Sequence, residues 1–275
     1  MNNQSPKGSR IAKVLSRAGI ASRREAEKII LEGRVKVNGE ILISPAFNVV
    51  DSDIILVDGD PIAKPDEERL WCFHKPVGAV TTAKDDKNRK TIYEYFPSNM
   101  PRVMPVGRLD LNSEGLLLLT NSGELKRKLE LPNSELSRIY RVRVKGHPKE
   151  ASLDLLRSGI VIEKEFFRPM KVSLDRQQGA NAWLTIELKE GKNREIRRAM
   201  GELSLLVNRL IRIEYGPFKL GSLKKGELVE INSKSIRRSL KTVNINFTTA
   251  NNRKKSRTNT QKFREEYIEN YWDSK

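Results

Sequence analysis

The sequence predicts an α+β protein that consists of a small N-terminal module and a larger domain with a mixed or antiparallel sheet. Two helical patterns and a hairpin signal come first, and the polar stretch PIAKPDEER at 61–69, with two prolines, marks the boundary after them. After this stretch, many short strand patterns alternate with only a few helices, which favours a mixed sheet over a doubly wound one. The 275 residues are enough for two such domains.

We expect five segments along the chain, separated by changes in composition. Residues 1–9 form a flexible leader, residues 10–62 the small module, residues 63–69 the linker, residues 70–233 the larger domain, and residues 234–275 a basic, disordered tail.

The small module begins with two predicted helices. The first has apolar residues at helical spacing, which are Ile11, Val14, Leu15 and Ala18. Ser22 and Glu25 match a capping box, so the second helix begins after Ser22. Asn38-Gly39 then predicts a type I′ turn between two short strands.

Basic residues gather on the polar sides of both predicted helices. They are Arg10, Lys13 and Arg17 in the first helix, and Arg23, Arg24 and Lys28 at the start of the second. A solvated face is the ordinary interpretation of one charge run. The net charge of +17 favours a polyanionic partner instead, with nucleic acid ahead of an anionic membrane.

Residues 107–123 carry the most informative pattern of the larger domain. The four leucines Leu116 to Leu119 predict a strand that is buried on both faces. Asp110 stands shortly before this strand, after Gly107-Arg108. A carboxylate there is either a cap or a reactive group on a rigid platform.

The rest of the larger domain gives further elements. Strands are predicted at 70–73, 140–144, 183–188 and 210–213, and helices at 124–131, 153–158 and 194–203.

Several function classes lack their sequence signals. The chain has no run of about 18 apolar residues and no apolar signal-peptide core, so we expect a cytoplasmic protein. Cys72 is the only cysteine, there are two histidines, and no glycine-rich phosphate loop occurs. We therefore expect no metal and no nucleotide cofactor.

The motifs in both parts resemble known families. The segment RIAKVLSRAGIASRREAEKIILEGRVKVNGEIL, within about residues 10–57, resembles the S4 (αL-like) RNA-binding domain. Four blocks of the larger domain resemble the ribosomal RNA pseudouridine synthases that carry such a domain. They are HKPVGAVTT at 74–82, GRLDLNSEGLLLLTNSGEL at 107–125, SRIYRVRVKG at 137–146 and EGKNREIRRAM at 190–200. The NREIRR sequence is most similar to the large-subunit branch.

Two departures from the family pattern are visible. Asn112-Ser113 stands where the family usually has Asp-Thr, and Ser122 replaces an acidic residue. Neither change touches Asp110.

The resemblance implies isomerisation of one uridine to pseudouridine in ribosomal RNA, in 23S rather than 16S RNA. The expected partners are this RNA and pre-ribosomal particles, with no membrane and no cofactor, and the enzyme is expected to be a monomer. Asp110 would be the catalytic carboxylate, Arg197 its basic partner and Tyr140 the ring that stacks on the flipped base. Ile196 would pack beside the base, and Arg108 and Arg194 would bind RNA, as would the six basic residues of the small module. Whether Asp110 attacks C1′, attacks C6 or removes the 2′ proton stays open.

Two other functions compete with this interpretation. A noncatalytic S4-type assembly factor would explain the charge equally well, but it has no need to keep Asp110, Tyr140 and Arg197. An S4-linked methyltransferase would need a glycine-rich cofactor loop, which the sequence lacks.

Overall fold

A computed structural model describes residues 8–63, 66–83, 85–131 and 134–245. The chain divides into two compact units, Met1–Glu67 and Glu68–Lys275. Within the described residues, no helix combines the length and apolar character needed to cross a membrane.

Over residues 8–63, the N-terminal unit has two helices and six short strands. They are β1 (Ser9–Arg10), α1 (Ile11–Arg17), α2 (Arg23–Leu31), β2 (Val35–Val37), β3 (Glu40–Leu42), β4 (Asn48–Val49), β5 (Ile55–Val57) and β6 (Asp60–Pro61). Strands β3, β2, β5 and β6 form an antiparallel sheet in that order, and β1 pairs with β4.

The helix cap and the turn that the sequence predicts for this unit are confirmed. The Ser22 hydroxyl accepts a hydrogen bond from the Glu25 backbone N–H at 3.2 Å and caps α2. Asn38 and Gly39 both have positive φ, at 51° and 91°, as a type I′ turn between β2 and β3 requires. The placement of Arg10 on the first helix was wrong. Arg10 is the residue before α1, and its guanidinium donates to the Ala46 carbonyl.

Within its described residues, the second unit contains eleven strands, four α-helices and a short 3₁₀ helix at Ile92–Tyr95. The strands are β7 (Leu70–Lys75), β8 (Met104–Val106), β9 (Glu114–Thr120), β10 (Arg138–Lys145), β11 (Ile160–Ile162), β12 (Glu165–Phe167), β13 (Lys171–Gln178), β14 (Asn181–Leu188), β15 (Leu206–Tyr215), β16 (Phe218–Lys219) and β17 (Leu228–Ile231). The helices are α3 (Gly123–Glu130), α4 (Glu150–Ser158), α5 (Glu195–Glu202) and α6 (Ser233–Lys241).

Nine of these strands form one mixed sheet, as predicted. Its order is β13-β14-β10-β15-β9-β7-β17, with β8 paired to β9 and β16 paired to β15. The β15–β9 pair is parallel and the other pairs are antiparallel.

Strand β9 is an interior strand of this sheet and is buried along its whole length, which confirms the prediction from the leucine run. All four leucines have no exposed surface. Leu116 and Leu118 join one apolar cluster with residues of α3 and α6, and Leu117 and Leu119 join another with residues of β7. The loop before β9 is therefore anchored to the most rigid part of the unit.

The predicted start of the disordered tail, at residue 234, was wrong. Asn232 caps α6 by accepting from the Ser235 N–H at 2.7 Å, and Ile236 and Leu240 pack into the same cluster as Leu116. Two apolar residues at i and i+4 are enough to dock one helix face, although the segment as a whole is strongly basic. The remainder of the predicted tail, from residue 246, lies outside the described residues.

Candidate active site

Asp110 lies in the loop that connects the paired strands β8 and β9, and it caps no helix. The next helix, α3, begins at Gly123 and is capped by Ser122 instead. Asp110 is half-buried, with 40% of its side chain exposed. Of the two roles that the sequence left open, the structure excludes the helix cap.

Hydrogen bonds hold the backbone of this loop at every residue from Leu109 to Ser113. Their five carbonyls accept, in order, from the Thr81 hydroxyl (2.9 Å), the Lys75 ammonium (3.0 Å), the Gly78 N–H (2.9 Å), the Arg197 guanidinium (2.8 Å) and Lys75 again (2.8 Å). The Ser113 N–H also donates to the Asp110 carbonyl at 3.0 Å. Asp110 therefore extends from a backbone that its neighbours fix on several sides.

Lys75, at the end of β7, is the main support of the loop. Its side chain is fully buried, and its ammonium donates to the carbonyls of Pro76, Asp110 and Ser113. Burial lowers the pKa of Lys75 to about 8, while the charge of Asp110 acts in the opposite direction.

The structure places a different arginine on Asp110 from the one that the resemblance implied. Arg194 Nη1 lies 3.8 Å from Asp110 Oδ2, whereas no ion pair within 4 Å joins Arg197 to Asp110 among the described residues. Arg194 adopts the left-handed conformation, with φ 49° and ψ 32°, at the residue before α5. This turn separates Arg194 from the helical spacing that Arg197 follows, so sequence periodicity could not place it.

Arg197 supports the loop from the helix α5. Its guanidinium donates to the carbonyls of Asn112 (2.8 Å) and Val207 (3.0 Å) and so ties the loop to β15. Burial lowers the pKa of Arg197, the charge of Arg194 lowers it further, and the charge of Asp110 raises it. Arg197 therefore contributes charge near Asp110 without direct contact.

A cavity of about 540 Å³ opens beside the loop. Five of the predicted site residues line it, which are Arg108, Asp110, Tyr140, Arg194 and Ile196. Arg108 is exposed, Tyr140 is half-buried and Ile196 is buried. Three distant segments of the sequence thus meet at one cavity, while Arg197 lies outside its lining.

The sequence analysis did not identify two further residues that line the cavity. Arg212 is 3% exposed and faces Tyr140 across the β10–β15 pair, with its Nε donating to the Leu116 carbonyl at 2.7 Å. Glu195 is 4% exposed, and its Oε2 accepts from the Lys192 N–H at 2.9 Å. Arg212 stands between Ile211 and Ile213, and this charged interruption of a short apolar run is the signal that could have identified it.

The basic side chains of α1 and α2 are at least partly exposed to solvent. Arg17, Arg23, Arg24 and Lys28 are exposed and Lys13 is half-buried. Within the described part of the chain, none of these five forms an ion pair. Such groups can contact a phosphate backbone without first breaking an internal salt bridge.

The fold and the cavity define a class of protein, namely one with a basic helical module and a cavity that joins a carboxylate on a fixed loop to arginines and a tyrosine. Comparisons with known proteins identify the families of both units. The family model for RNA pseudouridylate synthase matches residues 69–202, and that for the S4 domain matches residues 9–65.

Curated relatives and a solved structure extend this likeness over most of the chain. An uncharacterized RNA pseudouridine synthase of Rickettsia felis is 50% identical over 228 residues, covering 82% of this chain and 97% of that protein. Ribosomal large subunit pseudouridine synthase B of Bacillus subtilis is 37% identical over 232 residues, covering 83% and 94%. A crystal structure of a pseudouridylate synthase is 25% identical, with a TM-score of 0.60, and covers 85% of this chain and all of that one.

The chain belongs to the RNA pseudouridine synthase family and carries an N-terminal S4 domain. It is an RNA pseudouridine synthase, an enzyme that acts on RNA.

Proposed function

We propose that this enzyme converts one uridine of large-subunit ribosomal RNA to pseudouridine, with Asp110 as the catalytic carboxylate. The observation that supports the role of Asp110 most strongly is the fixed loop, in which five consecutive carbonyls are hydrogen-bonded. The name of the Bacillus subtilis relative supports the choice of ribosomal RNA.

The chemistry needs one reactive carboxylate at the nucleotide. The N1–C1′ bond of uridine breaks, the uracil turns within the cavity, and a C5–C1′ bond forms. C5 then loses its proton and N1 gains one, so base and sugar are conserved. Asp110 takes part either as a nucleophile or as a base at the sugar.

The other residues of the cavity have distinct proposed roles. Tyr140 stacks on the flipped uracil and Ile196 packs beside it, since a base removed from its helix needs a replacement for its stacking partners. Arg194 offers Asp110 a positive charge at 3.8 Å, which offsets part of the negative charge of the RNA phosphates. Arg197 acts through the loop backbone, and exposed Arg108 binds the RNA backbone or displaces the target nucleotide.

The S4 domain holds the RNA through its basic helix faces. The residues proposed for this contact are Arg10, Lys13, Arg17, Arg23, Arg24 and Lys28. Structured RNA is recognised largely through its shape and phosphates, which suits exposed cationic side chains.

Carbodiimide mapping of pseudouridine tests the proposal directly. Ribosomal RNA from cells that lack the protein should lose one reverse-transcription stop in the large-subunit RNA, and the wild-type protein should restore it. An unchanged set of stops in both ribosomal RNAs would contradict the proposal, and a stop lost from the small-subunit RNA would contradict the choice of subunit.

A further inference from the structure

Glu195 lines the cavity and has one carboxylate oxygen without a hydrogen-bond partner. Its Oε2 accepts from the Lys192 N–H, but its Oε1 is buried and has no hydrogen-bond partner among the described residues. A buried polar atom without a partner destabilises a protein. An acceptor retained at that cost in a ligand cavity points to a donor supplied by the ligand.

The nearby carboxylate of Glu190 differs from that of Glu195 because it is paired. Glu190 lines the same cavity, but its carboxylate is paired with Arg168 at 3.0 Å and Lys192 at 3.4 Å. Glu195 has no ion pair within 4 Å among the described residues. Of these two carboxylates, Glu195 is therefore the one that remains open to a new hydrogen bond.

We propose that Glu195 recognises the imide edge of the flipped uracil, with its free Oε1 accepting the hydrogen bond from N3–H. This inference rests on the proposed function. Tyr140 and Ile196 offer ring and apolar surfaces to the faces of the base, so polar groups of the cavity are left to contact its edge. Glu195 and Ile196 both line the cavity, at the start of α5.

A carboxylate at this edge would favour uracil over cytosine. Uracil carries a hydrogen on N3, whereas N3 of cytosine carries a lone pair that would face the negative oxygen. Glu195 is thereby a specificity-determining residue, and its contact with the Lys192 N–H fixes the direction in which the carboxylate points.

The charge state of Glu195 gives the proposal a second readout. Burial raises the pKa of Glu195 to about 7, the charge of Glu190 also raises it, and the Lys192 N–H together with the charges of Lys192 and Arg138 lowers it. Protonated Glu195 can donate to N3 of cytosine. Preference for uridine should therefore increase as the pH rises through about 7.

The test compares the binding of two RNAs that differ in one base. The probe is an unmodified transcript of the target RNA region found by carbodiimide mapping, with uridine or cytidine at the target position. Binding is measured between pH 6 and pH 8 in an Asp110→Asn background, so that no turnover occurs. Glu195→Gln is compared with Glu190→Gln, which alters a carboxylate of the same cavity that is already paired.

We expect Glu195→Gln to reduce the preference for uridine at pH 8 by about tenfold or more and to make it independent of pH. The amide oxygen retains the contact with the Lys192 N–H, so an amide N–H donor replaces the accepting Oε1. Glu190→Gln should leave the preference at pH 8 in place. Because the charge of Glu190 helps to raise the pKa of Glu195, its loss should move the pH dependence to lower pH.

An unchanged preference in Glu195→Gln, or a pH-independent preference in the parent protein, would overturn the inference even if turnover fell. Turnover by the protein with Asp110 intact separates the two proposals. Absence of pseudouridine formation on the uridine transcript would contradict the proposed function itself.

Discussion

The loop that carries Asp110 and the basic helices of the N-terminal unit both present charged groups, but they hold them very differently. In the loop, each carbonyl from Leu109 to Ser113 has a donor, and two of the donors are buried or half-buried cations. On α1 and α2, the charged side chains extend from exposed helix faces and form no ion pairs within the described chain.

This difference separates two ways of using charge. Chemistry at a single carbon depends on placing one carboxylate to within a fraction of an ångström, so the protein immobilises its backbone. Binding to phosphates is a sum of similar contributions, each replaceable and each weakened by salt. Substitutions in the loop should therefore act steeply on turnover, and substitutions on the helices should act gradually on affinity.

The largest effect is expected for Asp110→Asn. The substitution keeps the size of the side chain and removes its charge, so single-turnover pseudouridine formation should fall by more than about 10³-fold. The affinity for RNA should change by no more than about twofold, as measured by filter binding. Asp154→Asn, which alters an exposed aspartate of α4, is the control. Substantial turnover by Asp110→Asn would show that the carboxylate is not the reactive group.

The second-largest effect is expected when Lys75, the main support of the loop, is replaced. Lys75→Met leaves the carbonyls of Pro76 and Ser113 without this donor and the Asp110 carbonyl with only the Ser113 N–H. We expect the free energy of unfolding to fall by about 4 kcal/mol. Urea unfolding measures this change. Lys171→Met, on an exposed lysine of β13, should alter stability by less than about 0.5 kcal/mol. Equal stabilities of the two variants would contradict the role given to Lys75.

Glu195 makes stability depend on pH. Because its folded-state pKa is raised from 4.5 to about 7, the folded protein binds the proton more tightly, and this contribution is complete below about pH 4.5. It is lost as the pH rises to about 7, for a total of about 3 kcal/mol. Glu195→Gln should remove this slope, so that the variant gains stability relative to wild type between pH 5 and pH 8. Parallel pH profiles for the two proteins would argue against a buried, titrating Glu195.

The smallest effect is expected on the helices. Replacing both Arg23 and Arg24 by alanine should weaken RNA binding by about tenfold and reduce the slope of log affinity against log salt by about 2. Single-turnover rates at saturating protein should stay within about twofold of wild type. An unchanged salt slope would show that these arginines do not contact phosphates.

The sequence predicted what depends on short-range patterns. The Ser22 cap, the Asn38-Gly39 turn and the leucine strand β9 each follow from neighbouring residues, and each is confirmed. The mixed sheet follows from the number of strand patterns. The approach of Asp110, Tyr140 and Ile196 to one cavity was expected only because the motifs resembled a family, since no local pattern brings together segments so far apart.

The errors arise where tertiary contacts decide the outcome. Arg194 rather than Arg197 lies on Asp110 because the left-handed turn before α5 redirects its side chain. Residues 233–241 are helical because Ile236 and Leu240 find an apolar cluster, which composition alone does not reveal. Lys75 was unassigned because a lysine at a strand end is ordinarily expected to reach solvent.

Complementation in cells that lack the protein tests the central claim most directly. The measurement is the carbodiimide-dependent stop in large-subunit ribosomal RNA, with wild type, Asp110→Asn and the Arg23→Ala/Arg24→Ala double variant expressed at equal levels. We predict that wild type restores the stop fully and the double variant restores it at least in part, whereas Asp110→Asn does not restore it. Restoration by Asp110→Asn would contradict the assignment of this carboxylate as the catalytic group.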